Sequence, residues 1–272
     1  MKIGLFGIGS GICAQPAVIK DVVQQAEDEG LDSVWTGEHV VLPNPRQAPS
    51  PADPDFPMLH PSTILAYTSA VTKTLKIGTG IVLIAQRNPL VLAKEMASLD
   101  VLSEGRLILG IGSGYLHQEF QALGVPFHER GARTDEYIAI MQTLWTKDVA
   151  NYEGSFYQFE NVRAEPHPVQ LGGPPFVIGG NSDAALKRAI RFGTGWYGFA
   201  MDVEATKRVL DRLNTLGEHN LEISVTPSTP INEEIITQFA EIGVHRLISL
   251  MPQKSIQKFK TTITHLGQLV NE

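Results

Sequence analysis

The chain has 272 residues, of which 43% are apolar and 19% charged, and it carries a formal net charge of −7. That balance supports a large buried core and excludes an intrinsically disordered chain. An acidic chain without a Lys/Arg run also argues against nucleic acid or anionic lipid as partners. The single cysteine, Cys13, has no partner for an internal disulfide, and no Cys/His spacing resembles a zinc site. The length suits one α/β barrel of about 250 residues, so one domain over 1–272 is expected.

The apolar opening stretch is interrupted by Gly4, Gly7, Gly9 and Gly11 and lacks a small-x-small cleavage site, and Ile12 before Cys13 does not suit a lipoprotein signal. No apolar run reaches the roughly 18 residues of a spanning helix. A cytoplasmic protein is expected.

Apolar, β-rich runs then alternate with helical patterns to the end of the chain. A strand at 2–8 leads to a helix at 15–29, with Pro16 suited to its first turn. Strands at 31–36 and 75–84 bracket a helix at 60–71, and a further helix covers 89–102. "GRLILGIGSG" reads as the fourth strand, followed by helical segments at 117–123 and 134–145. Aromatics alternate with polar residues around Gly154, which predicts a two-stranded hairpin inserted at about 151–170. Strands at 176–178, 196–199, 222–227 and 246–251 then alternate with helices at 183–192, 204–216, 233–242 and 255–270. The pattern makes eight strand-then-helix units whose strands are too apolar to face water on either side, as covered parallel strands require. Eight such units predict a closed (β/α)₈ TIM barrel of the α/β class. The proline-rich loop at 40–59 follows a barrel strand and is expected to shape a substrate pocket.

The pentapeptide "GIGSG" occurs at Gly7 to Gly11 and again at Gly110 to Gly114. In the first copy Gly9, Gly11 and Ala14 meet a loose dinucleotide fingerprint between strand and helix. That reading needs an acid at the end of the second strand, whereas Asp32 stands at its start and Glu38 comes late. The alternative is a plain turn at the barrel mouth. The second copy ends a strand and leads into a helix whose first amides would suit an anion, with a tight strand-to-helix turn as its alternative. "WTGEH", "IGTGIVL" and "IGGNSDAAL" also lie at C-terminal ends of predicted strands, the face on which barrel enzymes carry their sites.

Taken together, "GLDSVWTGEHVVLP", "LKIGTGIVLIAQRNPLVLAKEMASLDVLSEGRLILGIGSGYLHQEFQALGVPFHERGARTDEYI" and "PPFVIGGNSDAALKRAIRFGTGW" closely resemble the bacterial-luciferase-like superfamily. Within it the chain is similar to the group described as probable oxidoreductases dependent on coenzyme F-420, a 5-deazaflavin. The resemblance covers residues 1 to about 199, and beyond 201 only the barrel pattern remains.

The resemblance implies a flavin or deazaflavin ring lying across the barrel top, on a third-strand bulge with a non-proline cis peptide at Gly80-Ile81. It implies His39 beside the reactive part of the ring, where an imidazole near its ordinary pKa of about 6.5 passes protons at neutral pH. Glu38 is the second catalytic candidate, fixing the ring edge or orienting His39. Gly179, Gly180, Asn181 and Ser182 open a helix and are expected to seat the cofactor phosphate. Gly112, Ser113 and Gly114 would form the neighbouring wall.

Other candidates read as structural. Arg130 and Arg133 suit a salt-bridged helix face, and Trp196 and Tyr197 either line the pocket or pack the rim. His117 with Glu119, and His60, His128 and His167, form no convincing ligand set, so no metal is expected.

The function expected is hydride transfer between coenzyme F-420, or FMN as the alternative, and a small organic substrate. A two-component monooxygenase using reduced FMN, a Rossmann dehydrogenase using NAD and a non-catalytic flavin-binding protein are the other readings. The resemblance further implies a homodimer, and a flavin or deazaflavin reductase as a partner.

Overall fold

The computed structural model describes residues 1–252 and 255–271. The first half of the chain runs β1 (Lys2–Phe6), α1 (Pro16–Asp28), β2 (Ser33–Thr36), α2 (Pro61–Val71), β3 (Lys76–Thr79), β4 (Val82–Leu83), α3 (Pro89–Leu102), β5 (Leu107–Gly112), α4 (His117–Ala122) and α5 (Arg130–Thr146). The hairpin β6 (Ala150–Glu153) and β7 (Gln158–Val162) follows. The chain then continues through β8 (Phe176–Gly179), α6 (Asp183–Phe192), β9 (Gly195–Met201), α7 (Val203–Leu216), β10 (Glu222–Pro227), α8 (Glu233–Glu241), β11 (Arg246–Leu250) and α9 (Ile256–Asn271).

Among the described residues, β1, β2, β3, β5, β8, β9, β10 and β11 pair in parallel in that order, and β11 returns to β1. The sheet is closed, as the eight alternating units predict, and closure removes the open sheet that a Rossmann dehydrogenase needs. The β6–β7 hairpin stands outside it, pairing antiparallel, and Glu136 of α5 accepts from the amides of Ser155, Phe156 and Tyr157 at its turn. Among the described residues no helix is long and apolar enough to cross a membrane.

The expected strand at 75–84 is broken. Gly78 lies opposite Ile108 and Val82 opposite Ile111, so four steps on one strand face three on its neighbour. The extra residue is a bulge, and the Gly80-Ile81 peptide within it is cis.

The barrel interior is filled by Trp35, Ile108, Val177, Tyr197 and Ile248, with Phe6 and Ile81 above them. Trp35 fits because its neighbours are small. A Cβ on Gly78 would lie 2.6 Å from the indole, and one on Gly4 would lie 3.2 Å from its Nε1. The indole N–H donates to Ser33 Oγ at 2.9 Å, and the ring stacks on Tyr197 at 5.7 Å. Beneath it the fully buried Arg246 pairs with Asp32 at 2.7 Å and with Glu222. Burial pushes the Asp32 carboxyl up, but Arg246 and Lys76 outweigh it and hold the group below the usual range. Asp32 is thus committed to the barrel base.

Gly110 has no room for a side chain, since a Cβ there would overlap the Thr79 carbonyl oxygen. Gly110→Ala is expected to destabilise the protein by at least the roughly 1–3 kcal/mol typical of overpacking, read as a lower urea midpoint with unchanged slope.

Candidate active site

The C-terminal strand ends form a mouth with an apolar floor. Ile81, pushed inward by the bulge, occupies the space that a Cβ on Gly112 would fill, and a Cβ on Gly179 would stand 3.1 Å from its Cγ2. Thr79 Oγ1 donates to the Gly110 carbonyl at 2.8 Å, and the Gly80 N–H donates to the Thr36 carbonyl at 2.7 Å. Phe6 lies under Gly80, where a Cβ would meet its ring at 2.9 Å. Phe199 leans on Phe6 at 5.1 Å and remains 48% exposed. Gly80, Ile81, Gly112 and Gly179 are therefore brought together as one packed unit.

His39 follows β2, with its side chain 8% exposed. Its Nδ1 lies 3.1 Å from Glu119 Oε2, and its Nε2 lies 3.3 Å from the Tyr115 hydroxyl. Glu119, on α4, has a fully buried side chain, and its Oε1 accepts from the Val40 N–H at 2.6 Å. Burial pushes the Glu119 carboxyl up; the His39 hydrogen bond and charge, the Gln86 side chain and the Val40 amide outweigh it. The net result is a carboxyl held below its ordinary value. Burial foremost, then the charge of Glu119, pushes the Tyr115 phenol up.

Glu38 turns the other way. One oxygen accepts from the Leu83 N–H at 2.7 Å and the other pairs with Arg87. Arg87 in turn meets His60 Nε2 at 2.6 Å, and His60 Nδ1 meets Ser62 Oγ at 2.8 Å. Glu38 thus ties the end of β2 to β4, and the carboxylate that reaches His39 is Glu119. In the sequence Glu119 reads only with His117, as no ligand set, because its bond to His39 spans 80 residues.

On the far side of the mouth Gly180, Asn181 and Ser182 are exposed ahead of α6. Ser182 caps that helix, its hydroxyl accepting from the Ala185 N–H at 3.3 Å, which leaves the hydroxyl hydrogen free to donate. Asp183 in the first turn is ion-paired with Arg212, which offsets its charge beside the helix N-terminus. Ser113 Oγ accepts from the buried Arg188 of α6 at 3.1 Å, so the second "GIGSG" is anchored directly to this helix. Arg188 also binds Asp135 and the Gly131 carbonyl. Gly114 has φ +80° and lies against Phe120, while Arg130 donates to its carbonyl at 3.1 Å. Arg133 pairs with Glu129 and Tyr137.

The first "GIGSG" is held differently. Gly11 N–H donates to the Pro57 carbonyl at 3.0 Å, Leu59 N–H donates to the Gly9 carbonyl at 2.8 Å, and Ser10 bridges to Met58. This copy fastens the 40–59 loop to the barrel. Trp196 is buried, its N–H donating to the Gly180 carbonyl at 2.9 Å, and the buried Tyr197 hydroxyl meets Thr226 at 2.7 Å. Both pack the barrel beneath the mouth.

Residues 6–230 match the family model described as luciferase-like monooxygenase. An uncharacterized protein of Mycobacterium tuberculosis is 32% identical over 242 residues, covering 85% of this chain and 86% of that protein. The F420-dependent glucose-6-phosphate dehydrogenase of Amycolatopsis mediterranei is 34% identical over 188 residues, 66% of this chain and 53% of that enzyme. Among solved structures, the coenzyme F420 dependent tetrahydromethanopterin reductase of Methanopyrus kandleri shares the fold, with a TM-score of 0.78 and 16% identity over 98% of this chain and 97% of that one. Other matched proteins include an FMNH2-dependent dimethylsulfone monooxygenase of Pseudomonas fluorescens and a type II Baeyer-Villiger monooxygenase of Pseudomonas putida solved in complex with FMN.

Because the Glu119 carboxyl is held below its ordinary value, its stabilising contribution is fully present above pH about 4.5 and is lost as pH falls through the folded-state value. The stability gap between the wild type and Glu119→Gln is therefore expected to narrow on acidification. Urea unfolding at neutral pH and at about pH 3 measures it.

Proposed function

Since the chain belongs to the luciferase-like monooxygenase family, we propose that it is an oxidoreductase holding coenzyme F-420, or FMN in its place, across the barrel mouth. The reaction is hydride transfer between that ring and a small organic substrate. The mouth itself carries this reading. An apolar floor of Phe6, Ile81 and Phe199 meets the face a planar tricycle needs, with His39 after β2 and the α6 N-terminus after β8. The donor set fits the phosphate equally well: exposed backbone at Gly180 and Asn181, the free hydroxyl hydrogen of Ser182 and the positive end of a ten-residue helix.

When bound, the deazaflavin or flavin supplies the hydride acceptor or donor. The residues of the chain do the rest. Ser182 and the helix amides hold the anionic end, and Ser113, fixed by Arg188, closes the wall beside it. Ile81 and Phe199 keep water from the ring face. His39 exchanges a proton with a substrate oxygen, which the transfer of hydride to or from an alcohol or carbonyl carbon requires. Coenzyme F-420 stands first because this chain matches an F420-dependent dehydrogenase at 34% identity; FMN stands second through an FMNH2-dependent monooxygenase at 33% identity. With FMN a separate reductase would supply the reduced form. We place the enzyme in the cytoplasm as a homodimer, a state that light scattering after gel filtration reads directly.

A titration of the purified, cofactor-free protein with F-420, FMN and NADPH, followed by fluorescence, tests the reading. Tight F-420 binding without an FMN response establishes a deazaflavin enzyme, and FMN binding alone a flavin-dependent one. Failure of both overturns the proposal. Ser182→Ala is expected to raise the dissociation constant about tenfold, the worth of one hydrogen bond to a charged group. Ser10→Ala is expected to leave it unchanged. Equal losses from the two would contradict the seat assigned to the phosphate.

A further inference from the structure

We propose that Glu119 is the positioning residue of this site: it holds His39 in the Nδ1–H tautomer, so that Nε2, beside the Tyr115 hydroxyl, is the nitrogen that exchanges the proton. The inference rests on the role given to His39 above and deepens it by naming the atom and the group that selects it.

The hydrogen-bond inventory leaves one arrangement. Glu119 Oε1 faces the Val40 N–H at 2.6 Å, and a backbone amide only donates. Its other oxygen faces His39 Nδ1 at 3.1 Å. Held ionised by these partners, the carboxylate is acceptor-only, so Nδ1 meets it as N–H. The lone pair of the neutral ring therefore sits on Nε2. The group facing Nε2 is the Tyr115 hydroxyl at 3.3 Å, which keeps its proton and can donate it. Tyr115 is half-exposed where Glu119 is fully buried, so the row Glu119, His39, Tyr115 runs from the interior out to the mouth.

The consequence for the proton is direct. When a substrate alcohol is oxidised, its O–H bond breaks and an Nε2–H bond forms, while the hydride leaves to the ring cofactor named above. The imidazolium so formed faces a buried carboxylate across Nδ1, which stabilises it without taking the proton. The reverse step returns the proton to the carbonyl oxygen. The adjacent Glu38 has no part in this row, since both of its oxygens are engaged by Leu83 and Arg87.

The test uses the full chain labelled with ¹⁵N-histidine and free of cofactor, at mildly alkaline pH. The His39 signals are identified by their loss in His39→Gln. The wild type is expected to show a protonated Nδ1 and an unprotonated Nε2. In Glu119→Gln the side-chain carbonyl must face the Val40 N–H, which turns the NH₂ toward Nδ1, so the proton is expected to move to Nε2. Tyr115→Phe is expected to keep the wild-type tautomer. A wild-type ring protonated on Nε2, or a Glu119→Gln ring still protonated on Nδ1, overturns the proposal. If Glu119→Gln does not fold, the wild-type spectrum alone decides. These signals need no bound cofactor, so a failed cofactor titration and a failed tautomer assignment are separate results. Once the substrate is known, Glu119→Gln is expected to lower kcat by about 10²-fold with KM nearly constant, and an unchanged kcat would also count against it.

Discussion

The close approach of the β3–β4 bulge to β5 is the contact on which the mouth depends. The Thr79 carbonyl and the Ile81 side chain occupy the positions that Cβ atoms on Gly110 and Gly112 would take, and Gly179 of β8 borders the same side chain. Three neighbouring strands are thereby registered on one isoleucine. That seat places Leu83 where its amide meets Glu38, which draws the Glu38 carboxylate toward β4 and leaves His39 to Glu119. The apolar floor and the proton-handling side of the mouth follow from a single packing choice.

The order of strands and helices was legible because covered parallel strands are apolar on both faces and because the helix starts carry their signals. Asn88, Ser182, Asp202 and Asn232 each accept an amide at a helix N-terminus, and Pro16, Pro61 and Pro89 stand in first turns. The residues at 75–84 alone read as one continuous strand, and the bulge with its cis Gly80-Ile81 peptide was legible only through the family resemblance, since the space it needs comes from missing side chains on a strand some 30 residues away. The partner of His39 was hidden for a related reason. Glu38 and His39 lie just beyond β2, where Glu38 is taken by Leu83 and Arg87, and the acid that serves His39 comes from α4, 80 residues away.

The two "GIGSG" segments show how little a short motif says without its surroundings. In the first, Gly7, Gly9 and Gly11 all have positive φ, and the turn they make is laced to 57–59. In the second, Gly110 and Gly112 lie within the regular strand β5 and are glycine for want of space. Only Gly114 has positive φ, and only Ser113 reaches the helix proposed to hold a phosphate. Identical letters answer a conformational demand in one place and a steric one in the other.

The ion pairs at the barrel base set a timetable for the nascent chain. Asp32 meets Arg246 across 214 positions and Lys2 meets Glu222 across 220, while β1 finds its second neighbour only in β11. During synthesis the first strand therefore waits, one edge unpaired and the Asp32 carboxylate without its guanidinium, until β11 has emerged. Unpaired parallel edges invite wrong partners. Ring closure has to follow the emergence of β11, and an arrest shortly before it would release an open sheet with two exposed edges.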